Sequence, residues 1–193
     1  MSWRTAADPT PPSLGLLELS SIARGIHATD AMLKAAAVEL VMARTICSGK
    51  YLVVLGGDVA SVSAAVDAGA QAAAHALIEQ RVIAQVHESV FPAICTAVDI
   101  APDQAQALGV IETFSASSII DVADAAAKSA EVMLLRIHLA MAIGGKGFVL
   151  LTGDVASVDA AVAAGVAVAS GEGILVGSAV IAAPAPELFA DYV

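Results

Sequence analysis

Large aromatic side chains are scarce in this sequence, at 4%, although 58% of its 193 residues are apolar. The apolar fraction comes mainly from Ala, Val, Ile and Leu, so the core must be built by close packing of small side chains. A chain of this size then leaves apolar surface that calls for assembly. Basic residues are few: nine Lys and Arg stand against nineteen Asp and Glu, for a net charge of −10. That balance argues against a nucleic-acid partner, because a phosphate backbone needs a basic face. Long apolar runs are missing as well. Mean hydropathy is high, at +0.81, but the longest uncharged run, Gly173 to Pro186, falls short of the ~18–20 residues that span a bilayer and carries two prolines. No membrane span is expected, and the N-terminus, with one arginine and no apolar segment, is not expected to act as a secretory signal. Two cysteines, Cys47 and Cys95, suggest reduced thiols in a cytoplasmic protein. Neither C-x-x-C nor H-E-x-x-H occurs, which leaves little support for a metal site within one chain.

What the sequence does contain is a duplication. Leu14-Gly15-Leu16-Leu17-Glu18 returns as Leu108-Gly109-Val110-Ile111-Glu112. Asp30-Ala31 returns as Asp124-Ala125, and Lys34 as Lys128. After a two-residue insertion in the second copy, Gly57-Asp58-Val59-Ala60-Ser61-Val62 recurs unchanged as Gly153-Asp154-Val155-Ala156-Ser157-Val158. Each copy is about ninety residues, too long for a solenoid unit, so a whole domain has been duplicated. The expected layout is a flexible arm over 1–13, a first domain over 14–95, a linker over 96–107 and a second domain over 108–193.

Both copies read alike. An apolar strand (Leu14–Leu19; Leu108–Thr113) leads to a serine cap. In the first copy Ser20 or Ser21 caps a helix whose apolar stripe is Ile22, Ile26, Thr29, Leu33 and Ala36. A second strand follows (Val38–Ile46; Val132–Ala140). In the second copy Met133, Leu135, Ile137 and Leu139 are expected on one face, and Arg136 with His138 on the other. After a glycine-containing loop and a third strand (Tyr51–Leu55; Phe148–Leu151), Asp58 and Asp154 cap an Ala/Val-rich helix. A last strand is expected at Val82–His87 and Ile174–Ala182. This strand–helix–strand, strand–helix–strand order is α/β (α+β) of the ferredoxin-like type.

The LGxxE strand, the Asp30-Ala31-Met32-Leu33-Lys34 helix, the loop before the third strand and the Gly-Asp-Val helix start resemble the bacterial microcompartment shell domain. Two copies in unpermuted order resemble the tandem-domain shell proteins of the BMC-T trimer family. Thr45-Ile46-Cys47-Ser48-Gly49-Lys50, the stretch Val82–Ile94 and His138–Lys146 resemble its PduT type. The resemblance implies a homotrimer that imitates a hexamer, set among other microcompartment shell proteins. Lys34 and Lys128 are then tile-edge contacts, and the loops holding Ile46, Ser48, Gly49 and Lys50, and Ile143, Gly144, Gly145 and Lys146, ring a central pore. It further implies that Cys47 ligates an iron–sulfur cluster at that pore. Ser48 stands where that type is expected to carry proline, and the Arg-Pro-His ending of single-domain relatives is absent.

The residues themselves leave Cys47 open. One chain offers two cysteines without cluster spacing, whereas a [4Fe–4S] cluster needs four ligands. A three-fold assembly would bring three Cys47 thiols to one axis, for one cluster per trimer. Gly49 would allow close approach, and Lys50 would lower the thiol pKa. The plain alternative is a small apolar residue at a strand end. Cys95 is expected to have no ligand role, His138 a structural one, and Glu18 and Glu112 a shared structural one. Electron transfer across a microcompartment shell is the expected function. A passive or gated metabolite pore is the alternative, and no nucleophile–base set suggests an enzyme.

Overall fold

A computed structural model describes residues 12–95, 98 and 106–188. Residues 1–11 of the expected N-terminal arm and most of the expected linker lie outside the described residues; Ser13, the last residue of that arm, is instead buried and opens the first strand. The chain forms two compact units, 1–88 and 89–193.

In the first unit the order is β1 (Ser13–Leu19), α1 (Ile22–Ala35), β2 (Glu39–Ile46), β3 (Lys50–Gly57), α2 (Val59–Ala73) and β4 (Leu77–Ile83). The four strands form one antiparallel sheet in the order β2-β3-β1-β4. Both helices lie on one face of it, over Leu17, Leu19, Val53 and Leu55. Leu14, Leu16, Leu52 and Val54 point to the other face and are also fully buried. The second unit opens with a short helix, α3 (Val90–Cys95), and then repeats the fold: β5 (Ala107–Thr113), α4 (Ser118–Ser129), β6 (Met133–Leu139), β7 (Gly147–Gly153), α5 (Val155–Gly171) and β8 (Leu175–Ala182). Its sheet order is β6-β7-β5-β8, the same ferredoxin-like arrangement. Although α3 follows the first copy in sequence, it packs on β6 and α4.

The helix caps act as the sequence suggests. Asp58 Oδ1 accepts from Ser61 N at 2.9 Å, and Asp154 Oδ1 accepts from Ser157 N at 2.9 Å. In both cases the hydrogen bonds from the serine side chain and backbone hold the carboxyl below its usual pKa. Ser21 caps α1, accepting from Arg24 N.

Three local expectations fail. The inward face of α1 is Gly25, Ala28, Thr29 and Met32, while Ile22, Ile26 and Leu33 are exposed. The helix turns its small residues inward because it lies against the sheet: a Cβ on Gly25 would sit 2.4 Å from the Tyr51 ring. The last strand of the first copy is Leu77–Ile83, five residues earlier than Val82–His87. It is a sheet edge, so Glu79, Gln80 and Arg81 are tolerated where an inner strand would be apolar. Finally, a bulge between Leu134 and Arg136 breaks the alternation of β6. Leu135 therefore joins Leu108 and Leu150 in one cluster, apart from Ile137 and Leu139.

Candidate functional site

The two loops joining second and third strands are built differently. In the first unit Cys47–Gly49 forms one tight turn between β2 and β3. Ser48 (φ 64°) and Gly49 (φ 70°) are both left-handed. For serine that conformation costs ~1–2 kcal/mol. A Cβ built on Gly49 would meet nothing within 4 Å, so space is open beside the turn. Cys47 is half-buried and not in a disulfide. Lys50 begins β3, and its ammonium donates to Glu18 Oε1 at 2.7 Å, on a carboxylate only 8% exposed. Pairing with Glu18 offsets the positive field that Lys50 was expected to place on the thiol. The pair instead fixes the base of the loop to β1.

The second unit repeats this brace. Lys146 donates to Glu112 Oε1 at 2.9 Å, so Glu18 and Glu112 are matching anchors for matching loops. The rest of that loop is longer and more contorted, with positive φ at Ala140, Ala142, Gly144 and Gly145. Ala140 N donates to Lys146 O at 3.0 Å across its neck. His138 holds it from the strand side. Its Nε2 lies 2.6 Å from Met141 O and its Nδ1 3.3 Å from Arg136 Nη2, while its ring stacks on Phe148 at 4.9 Å. The two polar contacts suit the tautomer in which Nε2 donates to Met141 O and Nδ1 accepts from Arg136. Ile143 is half-buried, and Gly144 and Gly145 face open space. Phe114, 63% exposed, lies under the Lys146 ammonium at 5.9 Å. Sequence reasoning passed over Phe114, although it is a visible break in the repeat, standing where the first copy has Ser20.

The remaining expected site residues are surface features. Lys34 pairs with Asp30 at 2.6 Å, and Lys128 with Asp124 at 2.5 Å, each one helical turn apart. Burial pushes the Cys95 thiol above its ordinary pKa. Among the described residues no three His, Cys, Asp or Glu side chains converge on a metal position within one chain, and no helix is long and apolar enough to cross a membrane. A cluster on Cys47 would therefore need thiols from other copies.

A duplicated ferredoxin-like unit with a braced loop at the same sheet corner in each copy defines a tandem, loop-presenting structural domain. The BMC domain model matches residues 13–86 and 107–184, and the chain belongs to this family of bacterial microcompartment shell proteins. It is 43% identical over 172 residues to the bacterial microcompartment shell protein PduT of Citrobacter freundii, covering 89% of this chain and 92% of that one. The shell protein EutM of Salmonella typhimurium is 42% identical over 85 residues, 88% of its length but only 42% of this chain, so it corresponds to one copy. Among solved structures, a microcompartments protein from Desulfitobacterium hafniense DCB superposes with a TM-score of 0.87 at 50% identity, covering 92% of this chain and 97% of that one.

Proposed function

We propose that three copies of this shell protein close into a six-lobed tile, and that the three Cys47 thiols hold one [4Fe–4S] cluster at its pore for electron transfer across the shell. The observation that carries this reading is the inequality of the two copies. In the second unit the outer face of the first helix is closed: Ile120, Ala127 and, on the adjoining strand, Leu134 are at most 5% exposed. Their counterparts Ile26, Leu33 and Leu40 are 58%, 40% and 38% exposed. The face is thus covered in the second unit and bare in the first. A head-to-tail ring of copies would complete every instance, and such rings close at small numbers.

The cysteine is unequal in the same way. It occurs in one loop of the two, so a three-fold ring would present three thiols, with open space beside each at Gly49. Three thiolates would hold three irons, leaving the fourth to water, a small molecule or a partner. A bound cluster supplies one-electron redox chemistry. The protein's part is positional: the Lys50–Glu18 brace fixes the loop base, Gly49 keeps the approach clear, and the Ser48 hydroxyl is a donor for an anionic sulfide. Lys34 and Lys128, each paired with an aspartate, would make edge contacts with neighbouring tiles.

Anaerobic purification followed by absorbance and low-temperature EPR tests the cluster. Iron at about four per trimer, a broad band near ~400 nm and a reducible signal lost in Cys47→Ala are expected. A colourless, EPR-silent protein after anaerobic reconstitution refutes it. The tile would then act as a passive or gated pore, a reading favoured by the strained, backbone-lined loop 140–146.

A further inference from the structure

We infer that the second sheet carries a binding site for a short aliphatic molecule with an uncharged, hydrogen-donating head group, an alcohol or a primary amide. The site is a pocket of about 300 Å³ on the sheet face turned away from α5. Leu108, Val110 and Glu112 are alternate residues of β5 and share that face. Phe148 and Leu150 of β7 stand opposite Glu112 and Val110, and Ile181 of β8 stands opposite Leu108. Leu188 packs on Leu108 and Leu150 and closes one side. From Leu108 to Glu112 the groove runs about 13 Å along β5. Its lining is apolar except at the Glu112 end. Apolar walls with one placed polar group make a small-molecule pocket, and this volume lies at the lower end of such sites, which favours a ligand of a few carbons.

Glu112 selects the head group. Its Oε1 accepts from Lys146 Nζ at 2.9 Å, and the member of the pair that lines the pocket is the acceptor. The ligand must therefore donate. A carboxylate or phosphate head would set its charge beside Glu112, and an ammonium head would set its charge beside Lys146. An uncharged O–H or N–H donor meets neither repulsion. This end of the pocket is also held in shape. Lys146 fixes Glu112, and the His138 ring stacks on Phe148 at 4.9 Å, 9° from parallel. Little ordering is left for binding to oppose.

The first copy serves as a control. It keeps the same pair, Glu18 with Lys50, but closes the face around it. The Glu18 side chain is 8% exposed and Ile83 is 8% exposed, whereas Glu112 and Ile181 are each 37% exposed. Support of the neighbouring loop accounts for the pair in both copies. It does not account for an apolar groove that leads to the carboxylate in only one.

The test titrates the full-length protein, isotope-labelled at its Leu and Val methyl groups, with hexanol, hexanamide and hexanoate, followed by NMR. Saturable shifts at Leu108, Val110, Leu150 and Leu188 are expected with the first two, and binding about tenfold weaker with hexanoate. Glu112→Gln removes the facing charge and frees Lys146, so it should close that gap. Ile181→Trp, at the exposed rim, should abolish the shifts by filling the mouth. Equal binding of hexanol and hexanoate to the wild type would overturn the inference, and so would the absence of a saturable shift. Hexanol binding only to a chain ending at Leu188 would show that the chain's own tail fills the pocket. Binding only to dissociated chains would show that a second copy fills it. Either result would also overturn the inference.

Discussion

Ile26 provides the sharpest test of the assembly, because its counterpart Ile120 serves as an internal control. Both are isoleucines at the same position of the first helix, one 58% exposed and the other fully buried. Burying a whole isoleucine side chain stabilises by ~1.5–3 kcal/mol. Covering the exposed part of Ile26 in an interface is therefore worth ~1 kcal/mol per copy, or ~3 kcal/mol over a ring of three. Ile26→Ala should weaken trimer formation about a hundredfold, since each 1.4 kcal/mol is a factor of ten, while leaving the fold of the isolated chain within ~0.5 kcal/mol. Ile120→Ala should do the reverse. It empties a buried site, lowers unfolding stability by ~2–5 kcal/mol, and acts on assembly only through the fold. Sedimentation velocity over a dilution series reads the first quantity, and urea unfolding at dilutions where the chain is monomeric reads the second. An Ile26→Ala chain that stays trimeric at wild-type concentrations would refute the reasoning that this bare face is an interface.

Other consequences follow from the two unequal copies. Gly69→Ala and Gly165→Ala should each destabilise by ~1–3 kcal/mol. An added Cβ at Gly69 meets Met32 at 2.4 Å and Leu17 at 2.6 Å, and at Gly165 it meets Ile111 at 2.5 Å and the Val122 backbone oxygen at 3.2 Å; urea midpoints that do not fall in either variant would contradict this close packing. Ser48→Gly should stabilise by ~1 kcal/mol, because the left-handed strain goes. Ser48→Pro should destabilise, because proline fixes φ near −65° and the turn needs 64°; thermal midpoints separate the two. Asp58 and Asp154 have pKa values depressed below 3.8 by their serine hydrogen bonds. Their charged caps thus stabilise the fold above the ordinary carboxylate pKa, and the contribution is lost as pH falls through the lowered folded value. The stability gap between wild type and Asp58→Asn/Asp154→Asn should therefore be constant at neutral pH and shrink below about pH 4; a gap that widens with acid would contradict the capping account.

Much of this architecture was legible because duplication doubles every signal. The Gly-Asp-Val caps, the LGxxE strand and its glutamate each occur twice at matching places, and the sheet order follows from the element order. Where the sequence misled, small or polar residues carried the information. Helix α1 buries Gly25 and Ala28, which contribute little to an apolar stripe, and it exposes isoleucines that read as core. Strand β4 carries Glu79, Gln80 and Arg81 because it is an edge. The bulge in β6 depends on register with β7, which no local pattern encodes. At the loops, Cys47 and the glycines stood out by residue type. The Lys50–Glu18 and Lys146–Glu112 braces did not, because each joins residues more than thirty positions apart.

Joining the cysteine loop and the glycine loop in one polypeptide has a consequence for stoichiometry. Two separate single-domain subunits mixing into rings would assort by chance, giving tiles with anywhere from none to six thiols. Covalent linkage sets the proportion at synthesis, one thiol loop for each glycine loop, and no imbalance of expression can alter it. The linkage also lets the two loops diverge without losing their one-to-one ratio: the first carries the cysteine, and the second holds the left-handed alanines at 140 and 142 and two extra residues.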